Sequence, residues 1–462
     1  MKALNDIKEV YFIGIGGIGM SALARYFNAA GKKVSGYDKT ETALTQQLIS
    51  EGIAVHYTDD ESNISKTAEL IVYTPAVPKE HMGLSYYREN GYPLLKRSDV
   101  LGEITKNSFN ICVAGTHGKT TITTMTAHLL RHSGYGCNAF LGGIAANYNS
   151  NFWSSEKNVC VAEADEYDRS FLKLHPDIAV ISAMDADHLD IYGTEEAMQQ
   201  AFVDFSAKVK KGGALISKWG LKKSSSLKAD HHITYSLQHT QANAFAKNIT
   251  SQNGSYAFDV HTPYGTLHNV VLHMGGLHNI ENAIAAITIA KHLGIEVDKI
   301  KAAVADFKGV KRRFEYIIPP GAINGIVYVD DYAHHPAELE ALIKSAKQLF
   351  ANKKCTVVFQ PHLFSRTRDF ATEFADSLDI ADDVFLLPVY PARELPLEGV
   401  SSKLIFDQMK REHKAMMTKE ELLNRIKTET SQNNNLLLIT AGAGDIDKLV
   451  QPIKEILEDI KG

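Results

Sequence analysis

The stretch Cys112-Val113-Ala114-Gly115-Thr116-His117-Gly118-Lys119-Thr120-Thr121 joins an apolar run, 109–114, to an alternating Thr/Met/Leu segment, 122–130. This order predicts a strand, a glycine loop and a helix. Two glycines let backbone N–H groups turn inward around an anion, and the helix start adds its positive dipole end. Lys119 can then reach the terminal phosphates of a nucleotide, and the Thr120 hydroxyl can ligate Mg²⁺. The stretch therefore predicts an ATP γ-phosphate site.

This loop is shorter than the standard phosphate loop, which has four residues between its glycines. An ordinary strand-to-helix turn that happens to contain Gly-Lys-Thr-Thr is the alternative interpretation. The complete strand–loop–helix context favours the nucleotide site. The residues to which we assign ATP contacts here are Gly115, Thr116, His117, Gly118, Lys119, Thr120 and Thr121.

The composition is that of a soluble globular protein. The chain has 462 residues, 44% of them hydrophobic and 22% charged, with a formal net charge of -5. The length predicts two to four domains, and the charge gives no general affinity for nucleic acid or anionic membranes. Four scattered cysteines without metal or redox spacing favour a reducing compartment. The N-terminus lacks a signal-peptide pattern and no apolar run reaches ~20 residues, so we predict a cytoplasmic protein without membrane insertion.

A second glycine loop lies near the N-terminus. Gly14-Ile15-Gly16-Gly17-Ile18-Gly19 follows an apolar run, 10–13, and precedes a predicted helix, 20–30. Asp38 ends the next predicted strand, at the place where the dinucleotide fingerprint has its acidic residue. An NAD-binding domain, and hence a nicotinamide-dependent dehydrogenase, is one interpretation. The same geometry can hold the diphosphate and ribose of another nucleotide, and the dehydrogenase reading leaves the phosphate loop without a role.

Two further predicted strands end in acidic loops. The segment 159–168 places Glu163 at a strand end, where a second Mg²⁺ ligand of a phosphate-loop domain is expected. The strand 178–182 leads into Asp185-Ala186-Asp187-His188-Leu189-Asp190, and His188 could ligate a second metal ion. Solvated charge at a strand end is the alternative in both cases.

The remainder of the chain completes an α/β architecture. Hairpin signals at Asn253-Gly254 and Tyr264-Gly265 predict a small antiparallel insertion. A helix follows from about 277, with Asn279 and Asn282 on one face of its first turn, either as caps or as contacts to adenine or phosphate. Strand–loop–helix units recur after 311 and predict a parallel sheet. We expect three domains: a Rossmann-like domain over 1–107, a central P-loop ATPase-like domain with the insertion over 108–310, and a Rossmann-like domain over 311–462.

Several of these motifs together resemble the Mur ligases, the ATP-dependent amide-forming enzymes of peptidoglycan precursor synthesis. The short phosphate loop, the segments with Glu163 and His188, and 276–283 are similar to the family's nucleotide and metal motifs. The resemblance implies that Arg313 faces a phosphate and that Asp331 binds the ribose. It covers nearly the whole chain. A dehydrogenase would leave the phosphate loop, Glu163 and His188 without a role, and the intact Lys119, Glu163 and His188 argue against a non-catalytic nucleotide-binding module.

Four stretches, 14–20, 330–336, 359–369 and 383–396, resemble the branch of the family that uses L-alanine. The resemblance implies UDP-N-acetylmuramate and L-alanine as substrates, ATP and Mg²⁺ as cofactors, an acyl-phosphate intermediate, and a monomer or homodimer. A branch that attaches a murein tripeptide is the alternative. Phe202 stands where later members of the pathway have a carbamylated lysine. The alanine branch is similar in lacking that lysine, so Phe202 supports the assignment. Leu363 replaces an arginine that this branch often has.

Besides the ATP contacts, the predicted site residues fall into four groups. The UDP-sugar group comprises Gly14, Gly16, Gly17, Gly19, Met20, Ser21, Asp38, Thr74 and Ala76. The amino-acid group comprises Tyr332, His334 and Arg366. The metal group comprises Thr120, Glu163 and His188. The catalytic group comprises Lys119, His188, Arg313 and His334, the last as the residue that orients or deprotonates the attacking amine. Asn279, Asn282, Arg313 and Asp331 complete the ATP contacts.

Overall fold

A computed structural model of the chain describes residues 2–185, 189–323, 325–392, 394–430 and 435–459. Its strands form three sheets of five, ten and six strands. The chain divides into two compact units. One contains residues 1–247, 260–268 and 281–304, and the other contains 248–259, 269–280 and 305–462. Among the described residues no helix is long and apolar enough to cross a membrane.

The first sheet is parallel and has the order β3-β2-β1-β4-β5. Its strands are β1 (Glu9–Ile13), β2 (Lys33–Tyr37), β3 (Ala54–His56), β4 (Leu70–Tyr73) and β5 (Leu94–Lys96). Its helices are α1 (Ile18–Ala29), α2 (Ala43–Ser50), α3 (Met82–Glu89) and α4 (Arg97–Lys106). Every residue of β1 is buried, as a central parallel strand requires. The glycine loop after β1 lies at the point where the strand order reverses, the usual ligand position of such sheets.

The second sheet has the order β15-β14-β13-β12-β11-β10-β6-β9-β7-β8. Its strands are β6 (Phe109–Ala114), β7 (Asn138–Ala145), β8 (Ser150–Trp153), β9 (Val159–Glu163), β10 (Ile178–Ile181), β11 (Ala214–Lys218), β12 (His231–Ser236), β13 (Ala244–Gln252), β14 (Ser255–Thr262) and β15 (Gly265–Leu272). Its helices are α5 (Lys119–His132), α6 (Leu189–Tyr192), α7 (Glu195–Ser206), α8 (Leu277–His292) and α9 (Val297–Asp306). Strand β6 pairs in parallel with β9 and β10, so the phosphate loop emerges between two other strand ends.

The predicted antiparallel insertion continues this second sheet at one edge. Strands β13, β14 and β15 are consecutive neighbours in it, joined by two-residue turns. Asn253 and Gly254 in the first turn have φ of 50° and 74°. Two successive positive φ values are the mark of a type I′ hairpin turn, which explains the Asn-Gly pair.

The third sheet has the order β16-β17-β21-β18-β19-β20. Its strands are β16 (Glu315–Ile323), β17 (Ile326–Asp331), β18 (Lys354–Phe359), β19 (Asp383–Leu386), β20 (Lys414–Met416) and β21 (Leu436–Ala441). Its helices are α10 (Pro336–Leu349), α11 (Phe364–Asp369), α12 (Ala371–Leu378), α13 (Lys403–Phe406), α14 (Lys419–Thr430) and α15 (Val450–Asp459). All pairs are parallel except β16 with β17. The edge strand β16 contains Pro319 and Pro320, which a central strand would not tolerate.

A single hydrophobic cluster joins the first sheet to the second. It includes Phe12 and Phe27 from the first and Phe140, Phe152 and Phe171 from the second. Helix α1 makes this connection, because the Tyr26 ring lies 5.4 Å from the Phe140 ring and 6.1 Å from the Phe152 ring. The two glycine loops are therefore held in one packed body. Two other clusters cover the two faces of the third sheet.

Candidate active site

The phosphate loop has the backbone geometry that an anion site needs. Gly115 and Gly118 have φ of 137° and 80°, which side chains rarely adopt. A Cβ on Gly115 would lie 2.2 Å from Ser182 Oγ, so this glycine also allows β10 to approach. Helix α5 begins at Lys119, slightly earlier than predicted, so Lys119, Thr120 and Thr121 form its first turn. Their backbone N–H groups and the helix dipole face the loop, where they can bind phosphate oxygens.

Lys119 is held by two oxygen atoms. Its Nζ donates to the Gly115 carbonyl at 2.7 Å and to Glu166 Oε1 at 2.6 Å. The Glu166 side chain is 1% exposed and the Lys119 side chain 15%. Burial raises the pKa of Glu166 above its usual range, and the lysine charge opposes that rise. Tyr192 Oη donates to the Glu166 carbonyl, which fixes the backbone of this segment.

Glu163 lies beside the phosphate loop, as predicted, because β9 pairs with β6 and brings it opposite Val113. The carboxylate packs against the backbone of β7. A Cβ on Gly142 would lie 2.2 Å from Glu163 Oε2, so this glycine provides the space that the acid occupies. A carboxylate here and the Thr120 hydroxyl are hard oxygen ligands, which fit Mg²⁺. His188, the third predicted ligand, lies outside the described residues. Among those described, no three His, Cys, Asp or Glu side chains cluster as a metal site.

The Asp38 carboxylate accepts backbone hydrogen bonds from the N-terminal glycine loop and from the segment after β2. Gly16 N donates to Asp38 Oδ2 at 2.7 Å, and Thr40 N donates to Asp38 Oδ1 at 3.2 Å. A Cβ on Gly14 would meet Thr74 Cγ2 at 2.7 Å, so Thr74 packs directly on the loop. The structure thus brings the predicted UDP-sugar residues Gly14, Gly16, Asp38 and Thr74 together.

A cleft of about 280 Å³ lies between this glycine loop and the carboxylates at the end of β9. Its lining includes Gly19, Met20, Thr74, Arg97, Gly142, Glu163 and Asp165. The Arg97 guanidinium bonds Asp165 Oδ2 at 3.3 Å, and a Cβ on Gly19 would meet Arg97 at 2.9 Å. One cleft therefore connects the predicted diphosphate site with the predicted metal site. Arg97 was not predicted from the sequence, where it is one of many scattered arginines.

The two asparagines of α8 have different neighbours. Asn279 Nδ2 donates to the Gly275 carbonyl at 2.7 Å, just before the helix. Asn282 faces the phosphate loop, because a Cβ on Gly118 would lie 2.8 Å from its Oδ1. Asn279 thus fixes the helix start, while Asn282 is placed for a contact at the nucleotide loop.

Asp331 and its neighbour Asp330 anchor the segment that carries Arg313. Asp331 accepts hydrogen bonds from Phe314 N at 2.6 Å and Ala333 N at 2.7 Å. Asp330 pairs with Arg312 Nε at 3.2 Å and accepts from Thr440 Oγ1 at 2.6 Å. Burial raises the pKa of Asp330 to about 7 and that of Asp331 to about 6. These bonds hold the segment at both ends of Arg313.

The predicted amino-acid residues lie in one cluster of the second unit. The Tyr332 and His334 rings are 5.1 Å apart, and the His334 and His362 rings are 6.2 Å apart. Arg366 Nη1 lies 3.4 Å from His362 Nδ1, so His362 connects His334 to Arg366. His362 was not assigned from the sequence, although it lies in the stretch 359–369 that resembles the alanine branch.

His334 has the protonation that a proton acceptor requires. Its Nδ1 lies 3.0 Å from the Tyr332 carbonyl, which can only accept, so Nδ1 carries the hydrogen and Nε2 the lone pair. Burial lowers the pKa of His334 below its usual value. The neutral ring can therefore take a proton at Nε2 at neutral pH.

Three family models match successive parts of the chain. The model described as Mur ligase family, catalytic domain, matches residues 9–109. The Mur ligase middle domain matches 113–290, and the model described as Mur ligase, glutamate ligase domain, matches 312–444.

Full-length relatives and solved structures are also similar to the chain. UDP-N-acetylmuramate--L-alanine ligase of Porphyromonas gingivalis is 48% identical over 461 residues, covering 98% of this chain and 100% of the relative. The ligase of the same name from Cytophaga hutchinsonii is 47% identical over 468 residues and covers 99% of each. The crystal structure of UDP-N-acetylmuramate-alanine ligase from Thermotoga maritima superposes with a TM-score of 0.83 at 28% identity, covering 98% of this chain and 100% of that one. A murein peptide ligase from Psychrobacter arcticus, at 22% identity and a TM-score of 0.67 over 98% of this chain and 100% of that one, shares the fold.

Proposed function

The chain belongs to the Mur ligase family, and from this premise we propose that it joins L-alanine to the lactyl carboxylate of UDP-N-acetylmuramate, with ATP converted to ADP and phosphate. It is an amide-forming ligase of peptidoglycan precursor synthesis. The observation that carries the proposal is the cleft between the N-terminal glycine loop and Glu163, which connects the proposed diphosphate site to the proposed metal site.

The chemistry needs positive charge where two anions meet. The lactyl carboxylate attacks the γ-phosphorus, and the bond from that phosphorus to the bridging oxygen breaks, which gives an acyl phosphate and ADP. Lys119 and the N–H groups at the start of α5 would hold the phosphate oxygens, with Arg313 facing the same charge. When bound, Mg²⁺ would neutralise phosphate charge. Thr120, Glu163 and His188 would hold it.

The second step joins the amino acid. The amine of L-alanine attacks the carbonyl of the acyl phosphate, an amide bond forms, and phosphate leaves. Arg366 would bind the carboxylate of the amino acid, Tyr332 would position it, and His334 Nε2 would accept the proton of the amine. The lowered pKa of His334 supports this assignment, because the ring is already neutral when the amine arrives.

The binding of UDP-N-acetylmuramate is assigned to the N-terminal loop. Gly14, Gly16, Gly17 and Gly19 would let the diphosphate approach the backbone at the start of α1, together with Met20 and Ser21. Asp38, Thr74 and Ala76 would line the nucleotide on either side of the loop.

We further propose domains over 1–107, 108–310 and 311–462, each binding one substrate, in a cytoplasmic monomer or homodimer. Asn279, Asn282 and Asp331 would contact the adenosine part of ATP.

The test is phosphate release from ATP and Mg²⁺ with UDP-N-acetylmuramate, with and without L-alanine. We expect release only when both are present. Lys119→Ala should lower the rate by about 10²–10³-fold, because a preorganised charge at the γ-phosphate is lost. Lys222→Ala removes an exposed lysine that pairs with Glu195, and this control should keep the wild-type rate.

Three outcomes would contradict the proposal. Release with a murein tripeptide but not with L-alanine would place the chain in the tripeptide branch. Absence of release with either amine, in protein that binds ATP, would leave only nucleotide binding. Full activity of Lys119→Ala would remove the phosphate loop from the mechanism.

A further inference from the structure

We propose that Glu166 is a positioning residue for Lys119, holding the ammonium group over the phosphate loop for the transition state of phosphoryl transfer. The inference rests on the proposed function, to which it adds a residue. Glu166 follows Glu163 by three positions in the same acidic run, yet it faces the lysine rather than the cleft.

The geometry of the lysine leads to this inference. An ammonium group has three N–H donors. In this structure the Gly115 carbonyl accepts one at 2.7 Å and Glu166 Oε1 accepts another at 2.6 Å. With two donors fixed, the direction of the third is fixed as well. The lysine then has little freedom left to lose when it binds a phosphate oxygen, and such preorganisation lowers a barrier.

The burial of Glu166 supports a role beyond packing. Among the described residues, Glu166 Oε2 is a buried oxygen without a hydrogen-bond partner. A half-satisfied carboxylate in such a place is unfavourable for folding. The ion pair with Lys119 at 2.6 Å then explains why an acid occupies this position.

Removing the Glu166 charge should have opposite effects on the binding of ATP and on the rate of phosphoryl transfer. Glu166→Gln removes a negative charge near the phosphates, which favours ATP binding, but it also loosens the lysine, which disfavours the transition state. We expect kcat to fall by about tenfold or more, while the KM for ATP stays within about threefold or decreases. A purely structural role would reduce the amount of folded enzyme without this division between kcat and KM.

A double-mutant cycle with Lys119 separates the pair from its surroundings. Lys119→Ala leaves the buried carboxylate uncompensated, so its Tm should fall, and adding Glu166→Gln should restore part of that fall. In the Lys119→Ala background, Glu166→Gln should have no further effect on kcat. Glu195→Gln, in the exposed pair with Lys222, is the control and should change neither quantity.

The experiment measures Tm and phosphate-release kinetics for these four variants and the wild type. A wild-type kcat in Glu166→Gln would overturn the proposal, and so would a Lys119→Ala/Glu166→Gln double variant that is less stable than Lys119→Ala. A rise in kcat in Glu166→Gln would also overturn it, because the carboxylate would then hold the lysine away from the transition state. If the wild type releases no phosphate, the proposed function fails, while the Tm cycle still tests the ion pair.

Discussion

The buried carboxylate of Asp330 has polar partners, yet its charged form remains less favourable than it would be in water. It is 1% exposed, pairs with Arg312, and accepts a hydrogen bond from Thr440, whose hydroxyl also lies 3.2 Å from Tyr328 Oη. These partners stabilise the charge, but burial outweighs them and raises the pKa of Asp330 to about 7. Arg312 also donates to the Gly442 carbonyl. The ion pair between Asp330 and Arg312 therefore helps to fix the segment beside Arg313.

A dependence of stability on pH follows from this shift. The unfolded chain has an ordinary aspartate pKa near 3.9. Between about pH 4 and pH 7 the folded state binds more protons than the unfolded state, so the free energy of unfolding falls as pH rises. Asp331, with a pKa of about 6, acts in the same direction. For Asp330 the total loss is at most roughly 4 kcal/mol, complete above pH 7.

The measurement compares the wild type with Asp330→Asn by urea unfolding from pH 5 to pH 8, followed by circular dichroism. Asparagine cannot titrate, so the stability of the wild type relative to the variant should decline as pH rises. Asp376→Asn, in an exposed pair with Lys410, controls for the loss of one charge. A difference between wild type and Asp330→Asn that stays constant or grows with pH would contradict the expectation.

At the level of elements, the sequence predicted those segments whose local signal agrees with their final environment. Strand β6 and helix α5 were recognised because an apolar run, two glycines and a helix start follow one another. The hairpin at Asn253-Gly254 was recognised because the turn needs positive φ. Strand β16 was not predicted, because Pro319 and Pro320 contradict strand propensity and only its edge position allows them.

The candidate site also contains residues that local sequence signals indicate and residues that only the folded structure brings together. Lys119 and Glu163 could be proposed from the sequence, because each lies in a short motif of its own, the phosphate loop and an acidic strand end, whose chemistry is local. Arg97 and His362 could not, since their roles depend on which strand ends become neighbours in the folded chain. Glu166 was visible in the acidic run, but only the folded structure shows that it faces Lys119.

The Asn253-Gly254 turn allows a prediction about packing between elements. A Cβ on Gly254 would lie 2.6 Å from Phe350 Cζ and 2.7 Å from Pro320 Cγ, while its carbonyl accepts from Tyr316 Oη at 2.8 Å. Gly254→Ala therefore adds a steric clash to the cost of positive φ. We expect a loss of about 2–4 kcal/mol in the free energy of unfolding, measured in urea.

Gly321→Ala is the matched control for this substitution. Gly321 lies in the same unit and has φ of 86°, but nothing lies within 4 Å of an added Cβ. Only the backbone cost of about 1 kcal/mol should remain. Equal losses for the two variants would show that Phe350 and Pro320 move aside freely.

At the scale of the whole molecule, the two compact units differ in their tryptophan and cysteine content. Each unit has its own buried apolar clusters, one large cluster under the first two sheets and two on the faces of the third. Trp153 and Trp219 both lie in the first unit, as do Cys112, Cys137 and Cys160, whereas Cys355 lies in the second. Fluorescence and thiol labelling can therefore report on the two units separately.

We expect the two units to unfold in separate transitions, because each buries its own core. All four thiols are buried, so a thiol reagent should react with native protein only slowly. In a urea series, tryptophan emission should give the midpoint of the first unit and labelling of Cys355 that of the second. Cys355→Ala should abolish the second signal while leaving the tryptophan curve in place. Coincident midpoints in the wild type would show that the chain unfolds as one cooperative body.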